Sequence, residues 1–205
     1  MQIALASLVM LLPGVCWWVW FGDRKRDAVE TIATVLGVSF AAIILAFLLF
    51  YLVGLPLLGG FGIALLAALL FLSVWGIRHR GLPRFTWGSL LAVAGLAVLI
   101  VWRLFQASTL ILPNWVDSLH HVLIVRKMVE AGGLTPTLEP YLPGNFYYHF
   151  GFHAVAAVFS SLSGLDPSQS VLIFGQVITA CISLGVYTLV KAASRDKRPA
   201  LVAAL

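Results

Sequence analysis

Charge is what this chain has least of. Only 10% of its 205 residues are charged, against 61% hydrophobic, where a soluble domain carries about a quarter charged residues. A water-soluble fold of this size keeps too much of its surface wet to hide that apolar content, so lipid is the solvent that fits. Strand-like alternation is missing too, which argues against a membrane β-barrel. The N-terminus lacks a basic stretch before its first apolar run and a small-residue cleavage site after it, which excludes a removable signal peptide. The two cysteines, Cys16 and Cys181, sit inside apolar runs without metal-type spacing; they read as buried packing residues. There are no internal repeats and no low-complexity tracts.

What remains is a series of apolar runs long enough for helices, about 20 residues being needed to cross the hydrocarbon core. Six spans are expected, at roughly 3–21, 32–54, 57–77, 86–106, 148–164 and 170–190. The fold class is all-α: a polytopic transmembrane helical bundle of about six spans with a surface helix in an extracytoplasmic loop. Two regions follow, a four-span N-terminal part over 1–106 and a part over 107–205 that holds loop 107–147 and two further spans. Residues 199–205 begin another apolar run, which reads as the start of a seventh span.

The net charge of +5 comes from short basic clusters between apolar runs, which is topology information rather than a nucleic-acid surface. Arg24, Lys25 and Arg26 follow the first run, beside Trp17, Trp18 and Trp20; Arg78, Arg80 and Arg84 follow the third. Both clusters belong on the cytoplasmic side, so loop 107–147 is expected outside. Lys191, Arg195, Lys197 and Arg198 disagree, because six spans put them outside as well. A re-entrant 148–164 would return them to the cytoplasm; the tight turn at Gly164, Asp166 and Pro167 favours six spans.

The chemistry is concentrated in loop 107–147 and the start of the next run. Asn114 after Pro113 is a plausible helix N-cap, and Gly132-Gly133 a plausible stop, which predicts a short helix over about 115–131. At 100° per residue Val116, Leu119, Val122, Leu123, Val125 and Val129 share one broad side, and Asp117, His120 and His121 another. Such a helix is expected on the outer membrane surface with its polar face to water or a cavity. Asp117 has two readings: a solvated residue near a positive helix N-terminus, or a functional carboxylate beside two histidines. The same three residues fit a divalent metal in part, so a metal cofactor stays open. If the next helix begins near Asn145, then Asn145, His149, His153, Ala156 and Ser160 form a stripe entering the membrane. Ionisable groups there usually face the bundle interior, either in function or in helix-to-helix hydrogen bonds. Tyr147 and Tyr148 read as interface anchors. Glu139 is either a second acid or a solvated loop residue.

These motifs resemble those of the C-type superfamily of polytopic glycosyltransferases, which includes protein mannosyltransferases, aminoarabinose transferases and oligosaccharyltransferases. The run Asp117…His121…Glu130-Ala131-Gly132-Gly133-Leu134…Pro136, followed by Pro143-Gly144-Asn145-Phe146-Tyr147-Tyr148-His149-Phe150-Gly151-Phe152-His153, is similar to large bacterial and archaeal members that carry a Tyr-Tyr-Tyr-Phe-Gly-His type motif. The resemblance covers about 113–205. Many members have two adjacent acids where this chain has Asp117-Ser118, and the best-known members have one span before the loop where this chain has four. The resemblance implies sugar transfer from a polyprenyl-phosphate donor to an acceptor on the outer face of a bacterial or archaeal plasma membrane. It implies Asp117 as general base, and His120, His121, His149, His153 and Tyr148 as substrate-binding residues. Its partners are then the lipid-linked sugar donor and membrane lipids. A transporter or channel subunit using the histidines as a relay, and a non-catalytic assembly protein, are the alternatives.

Overall fold

A computed structural model describes residues 2–23, 26–80, 87–114, 116–145 and 147–204. Arg24, Lys25, Arg84, Trp115, Phe146 and Leu205, which the sequence reading uses, lie outside the described residues, as does the side chain of Val116.

The chain is nearly all helix. The elements are α1 (Gln2–Met10), α2 (Leu12–Phe21), α3 (Ala28–Leu52), α4 (Gly60–Arg80), α5 (Trp87–Ala107), α6 (Val116–Ala131), the short strands β1 (Thr137–Leu138) and β2 (Leu142–Asn145), α7 (Gly151–Ser163), α8 (Pro167–Ser194) and α9 (Lys197–Ala204). Among the described residues four stretches are long and apolar enough to cross a membrane: Gln2–Phe21, Ala28–Leu52, Gly60–Arg80 and Pro167–Ser194. Val93–Ala107 and Gly151–Ser163 are shorter apolar helices. The chain therefore has the make-up of a multi-pass membrane protein.

Local chemistry explains the breaks. Pro13 stands in the first turn of α2, where its missing N–H costs least. Ser39 of α3 bridges the α1–α2 break: its Oγ donates to the Leu11 carbonyl at 3.1 Å and accepts from the Gly14 N–H at 2.9 Å. Gly14 lies so close to α3 that a Cβ there would stand 2.0 Å from the Val35 carbonyl oxygen. Asp27 caps α3 through a reciprocal pair with Glu30, the capping box of helix starts. Gly132, at φ 70°, ends α6; the Gly133 N–H returns to the Met128 carbonyl at 3.0 Å, which meets the expected stop. The expected turn between the last two long runs is also present: Gly164 closes α7 at φ 71°, and Asp166 caps α8 with Pro167 in its first turn.

Two ends of the bundle can be told apart. At one, Lys191 near the end of α8 pairs with Asp27 at 2.8 Å and Glu30 at 2.6 Å, at the start of α3. Arg80, the last residue of α4, donates to the Trp20 carbonyl and lies over the Trp20 ring. At the other end, the Leu58 N–H in the α3–α4 connection donates to the Gly132 carbonyl after α6 at 2.8 Å, and Arg126 of α6 pairs with Asp166 before α8 at 3.1 Å.

By length and composition four of the six expected spans are present, and that arrangement leaves the expected span at 148–164 short. Segment 148–164 is a 13-residue helix, about 20 Å long, too short for a hydrocarbon core of about 30 Å. Gly151 lies against Ile44, well up α3, and the turn after α7 lies at Arg126. Helix α7 therefore stays in the half of the bundle that holds α6, and α8 alone makes the return. The basic residues after α8 consequently share an end with Arg26, Arg78 and Arg80, which removes the disagreement with the charge rule.

The core lies where α1, α3, α6, α7 and α8 meet. Met10, Phe47, Val125, Met128, Ala154, Val155 and Phe159 are buried there. Three alanines of α7, Ala154, Ala156 and Ala157, are fully enclosed, and their small side chains let α7 approach its neighbours closely.

Candidate functional site

Helix α6 uses its faces largely as its pattern suggests: Val122, Leu123, Val125 and Val129 pack in or against the core, and Asp117 and His120 are exposed. Ile124, Val125 and Met128 are buried against protein, whereas Leu119 is exposed. His121, which meets α7, shares a helical stripe with Asp117, Ile124 and Met128, at spacings of four, three and four. Of the expected outward polar group, Asp117 and His120 are exposed, whereas His121 is partly buried and turns to α7.

Asp117 and His121 meet at the top of that stripe, Oδ2 to Nε2 at 3.2 Å. On its other side the His121 ring reaches α7, Nδ1 to His153 Nε2 at 2.7 Å. The two imidazoles stack with centroids 4.9 Å apart. His153 Nδ1 lies 3.1 Å from the His149 carbonyl oxygen. A carbonyl only accepts, so His153 carries its proton on Nδ1 in that bond. Exposure falls along the chain: the Asp117 side chain is 78% accessible, His121 24%, and His153 0%.

Aromatic rings frame the cluster. Tyr148 stacks on His149 at 4.0 Å and meets His121 and His153 edge-on at 6.1 and 5.7 Å. Phe152 stands edge-on to both histidines, at 6.0 and 5.6 Å. The helix expected to begin near Asn145 begins at Gly151, so Asn145 and His149 do not share a helical stripe with His153. Asn145 is the last residue of β2, where its Nδ2 donates to the Tyr147 hydroxyl at 3.1 Å.

Of the six residues expected in a site, five come together: Asp117, His121, His153, His149 and Tyr148. His120 is exposed and joins none of the contacts described. Arg126 and Lys127 face acids, Asp166 and Glu130 at 3.1 and 3.2 Å, so their charge is matched inside the chain. The Asp166 carboxyl is held below its ordinary range by Ser168, whose side chain and amide both donate to it, and by Arg126. Glu139 is exposed in the turn between β1 and β2.

Among the described residues no group of three or more His, Cys, Asp or Glu side chains is placed to hold a metal ion. The 2.7 Å between the two imidazole nitrogens is a hydrogen-bond distance. The donor set therefore does not fit a metal in this arrangement.

Two features escaped the sequence reading. The Lys191–Asp27–Glu30 cluster joins residues more than 160 positions apart, and nothing local announces it. Arg103 lies in the apolar run of α5, and its Nε is buried with no hydrogen-bond partner among the described residues. The signal for Arg103 was present, a guanidinium in a stretch otherwise made for lipid.

No family model, no curated protein and no solved structure matches this chain.

Proposed function

We propose that the protein is a membrane glycosyltransferase that moves a sugar from a polyprenyl-phosphate donor to an acceptor on the outer face of a bacterial or archaeal plasma membrane. The observation that carries this reading is the exposed Asp117 carboxylate, anchored through His121 to the buried His153. In the reaction, the acceptor oxygen attacks the anomeric carbon and the bond from that carbon to the phosphate oxygen breaks. The electron pair leaves on the polyprenyl phosphate. The acceptor proton passes to Asp117, a general base held in place but open to an incoming ligand. Tyr148 and His149, stacked beside the cluster, offer the flat surface a sugar ring packs against.

Sidedness supports the outer face. Arg26, Arg80 and Lys191 gather at the end opposite α6, and basic residues mark the cytoplasmic side. Loop 107–147 and the site then face outward.

The geometry favours this reading over a proton relay through the membrane. The hydrogen-bonded chain stops at the His149 carbonyl, which has no proton to pass on, and α7 does not reach the far end of the bundle. An assembly protein would have no use for a carboxylate anchored yet left open.

The test is turnover. The full-length protein in nanodiscs, given a radiolabelled polyprenyl-phosphate sugar, should release polyprenyl phosphate in step with labelled acceptor. Asp117→Asn should reduce that release at least about 100-fold, at the low end of what general-base catalysis contributes. A donor left intact across the common polyprenyl-linked hexoses and pentoses would overturn the reading.

A further inference from the structure

The only fully buried ionisable side chain in the candidate site, among the described residues, is His153. It is too enclosed to touch a substrate. It does touch His121, and the direction of that contact follows from its surroundings. His153 is fully buried beside the rings of Tyr148 and Phe152, and charging it there carries a large desolvation cost, so the ring is neutral and holds one proton. The His149 carbonyl claims that proton at Nδ1. Nε2 is then a bare lone pair, and at 2.7 Å it can only accept from His121 Nδ1. With its Nδ1 proton committed to His153, His121 turns Nε2 toward Asp117. A bare Nε2 and an ionised carboxylate would repel at 3.2 Å, so one proton lies between them.

We propose that His153 is a positioning residue: it fixes the His121 tautomer so that His121 Nε2 and Asp117 share a single proton. The pair then works as a unit. His121 holds one oxygen of Asp117 in a charge-assisted bond, which leaves the other oxygen aimed outward to accept a proton. The consequence for turnover rests on the transferase reading. The tautomer does not, and can be measured without substrate.

The experiment uses full-length protein in nanodiscs with 15N-labelled histidine. There are five histidines in these 205 residues, so each is assignable by single substitution. In the wild type, His121 should show its proton on Nδ1 and His153 on Nδ1 with Nε2 bare. His153→Gln keeps an acceptor oxygen near the Nε2 position and should preserve the His121 signature with kcat within a fewfold of wild type. His153→Leu removes the acceptor; the His121 signature should shift toward an Nε2 proton with Nδ1 bare, and kcat should fall about 10- to 100-fold, as for other residues that orient a functional group. A wild-type His121 with a bare Nδ1 would overturn the proposal whether or not either variant folds. So would a His153→Leu protein whose His121 signature is unchanged. If the signatures behave as expected and no donor is turned over, the positioning role stands and the transferase reading falls.

Discussion

Two clusters of ionisable side chains sit at opposite ends of this bundle, and they are built differently. In the first, Lys191 lies between Asp27 and Glu30, and the Tyr187 hydroxyl donates to Asp27 at 2.7 Å. Glu30 also accepts from the Asp27 amide, and Asp27 from the Glu30 amide. Each group is matched, and each ion-pair side chain is only about 20% exposed. In the second, Asp117, His121 and His153 make one bonded chain that is closed at its buried end and open at Asp117. A saturated cluster holds elements together. An unsaturated one keeps an atom available, and that difference separates structure from a candidate site more cleanly than charge or burial does.

The contrast is broken most directly by removing one charge from each cluster. Asp117→Asn should abolish sugar release while leaving expression and thermal stability near wild type, because an exposed carboxylate contributes little to folding. Lys191→Met should do the reverse. It leaves two partly enclosed carboxylates without their cation, a loss on the order of 2 kcal/mol, below the full cost of a buried pair because the group retains some water. Thermal unfolding in detergent measures both. Loss of stability in Asp117→Asn equal to that in Lys191→Met would erase the distinction.

The distinction is also one of sides. In a background with Cys16→Ala and Cys181→Ala, single cysteines at Ser108 and Thr137 should react with an impermeant thiol reagent in intact cells. A cysteine at Ser194, just past Lys191, should react only after lysis. Labelling of all three in intact cells would restore a sixth crossing at 148–164 and put the Lys191 end on the same side as loop 107–147.

What could be read in advance, and what could not, follows the same line between local and distant. The stop at Gly132-Gly133, the turn at Gly164 to Pro167 and four of the six apolar runs are local features that stand where their residues predict. The depth of α7 was not readable. Its apolar run is continuous with Tyr148 and Phe150, yet the helix starts only at Gly151, after the chain has already turned inward against Ile44. The facing of His121 was not readable either. Amphipathic analysis presumes that polar residues seek water, and here His121 seeks His153, 32 positions away. Of the site, the residue types were legible and the pairings were not.

A smaller effect concerns acid. Burial raises the Asp27 carboxyl, but the Glu30 amide, Lys191 and Tyr187 together hold it below its ordinary value. A depressed carboxylate contributes stability that is present above the unfolded value, near 4, and is lost as pH falls through the folded value. The melting temperature of the wild type should therefore fall below about pH 4 more steeply than that of Asp27→Asn. Tyr187→Phe should leave a shallower version of the same acid limb, since one of the bonds holding Asp27 ionised is gone, and should cost about 1 kcal/mol at neutral pH. Parallel acid limbs in all three proteins would show that Asp27 is not the group responsible.

The smallest expected effect is at His120, and it is the most discriminating for the site. His120 and His121 are adjacent and chemically identical, so composition or motif matching treats them alike. On a helix, adjacent residues point about 100° apart. His121 falls on the stripe of Asp117, Ile124 and Met128 and meets His153 of α7, while His120 is exposed and outside the cluster. If the site is the bonded chain, His120→Ala should change kcat less than about twofold and leave the His121 nitrogen signature untouched. His121→Ala, which unlinks Asp117 from His153, should lower kcat about 10- to 100-fold. Turnover assays on the two variants in parallel decide it. A loss at His120 as large as that at His121 would mean that the functional surface is the outward side of α6, and that the inward chain to His153 only packs the helix.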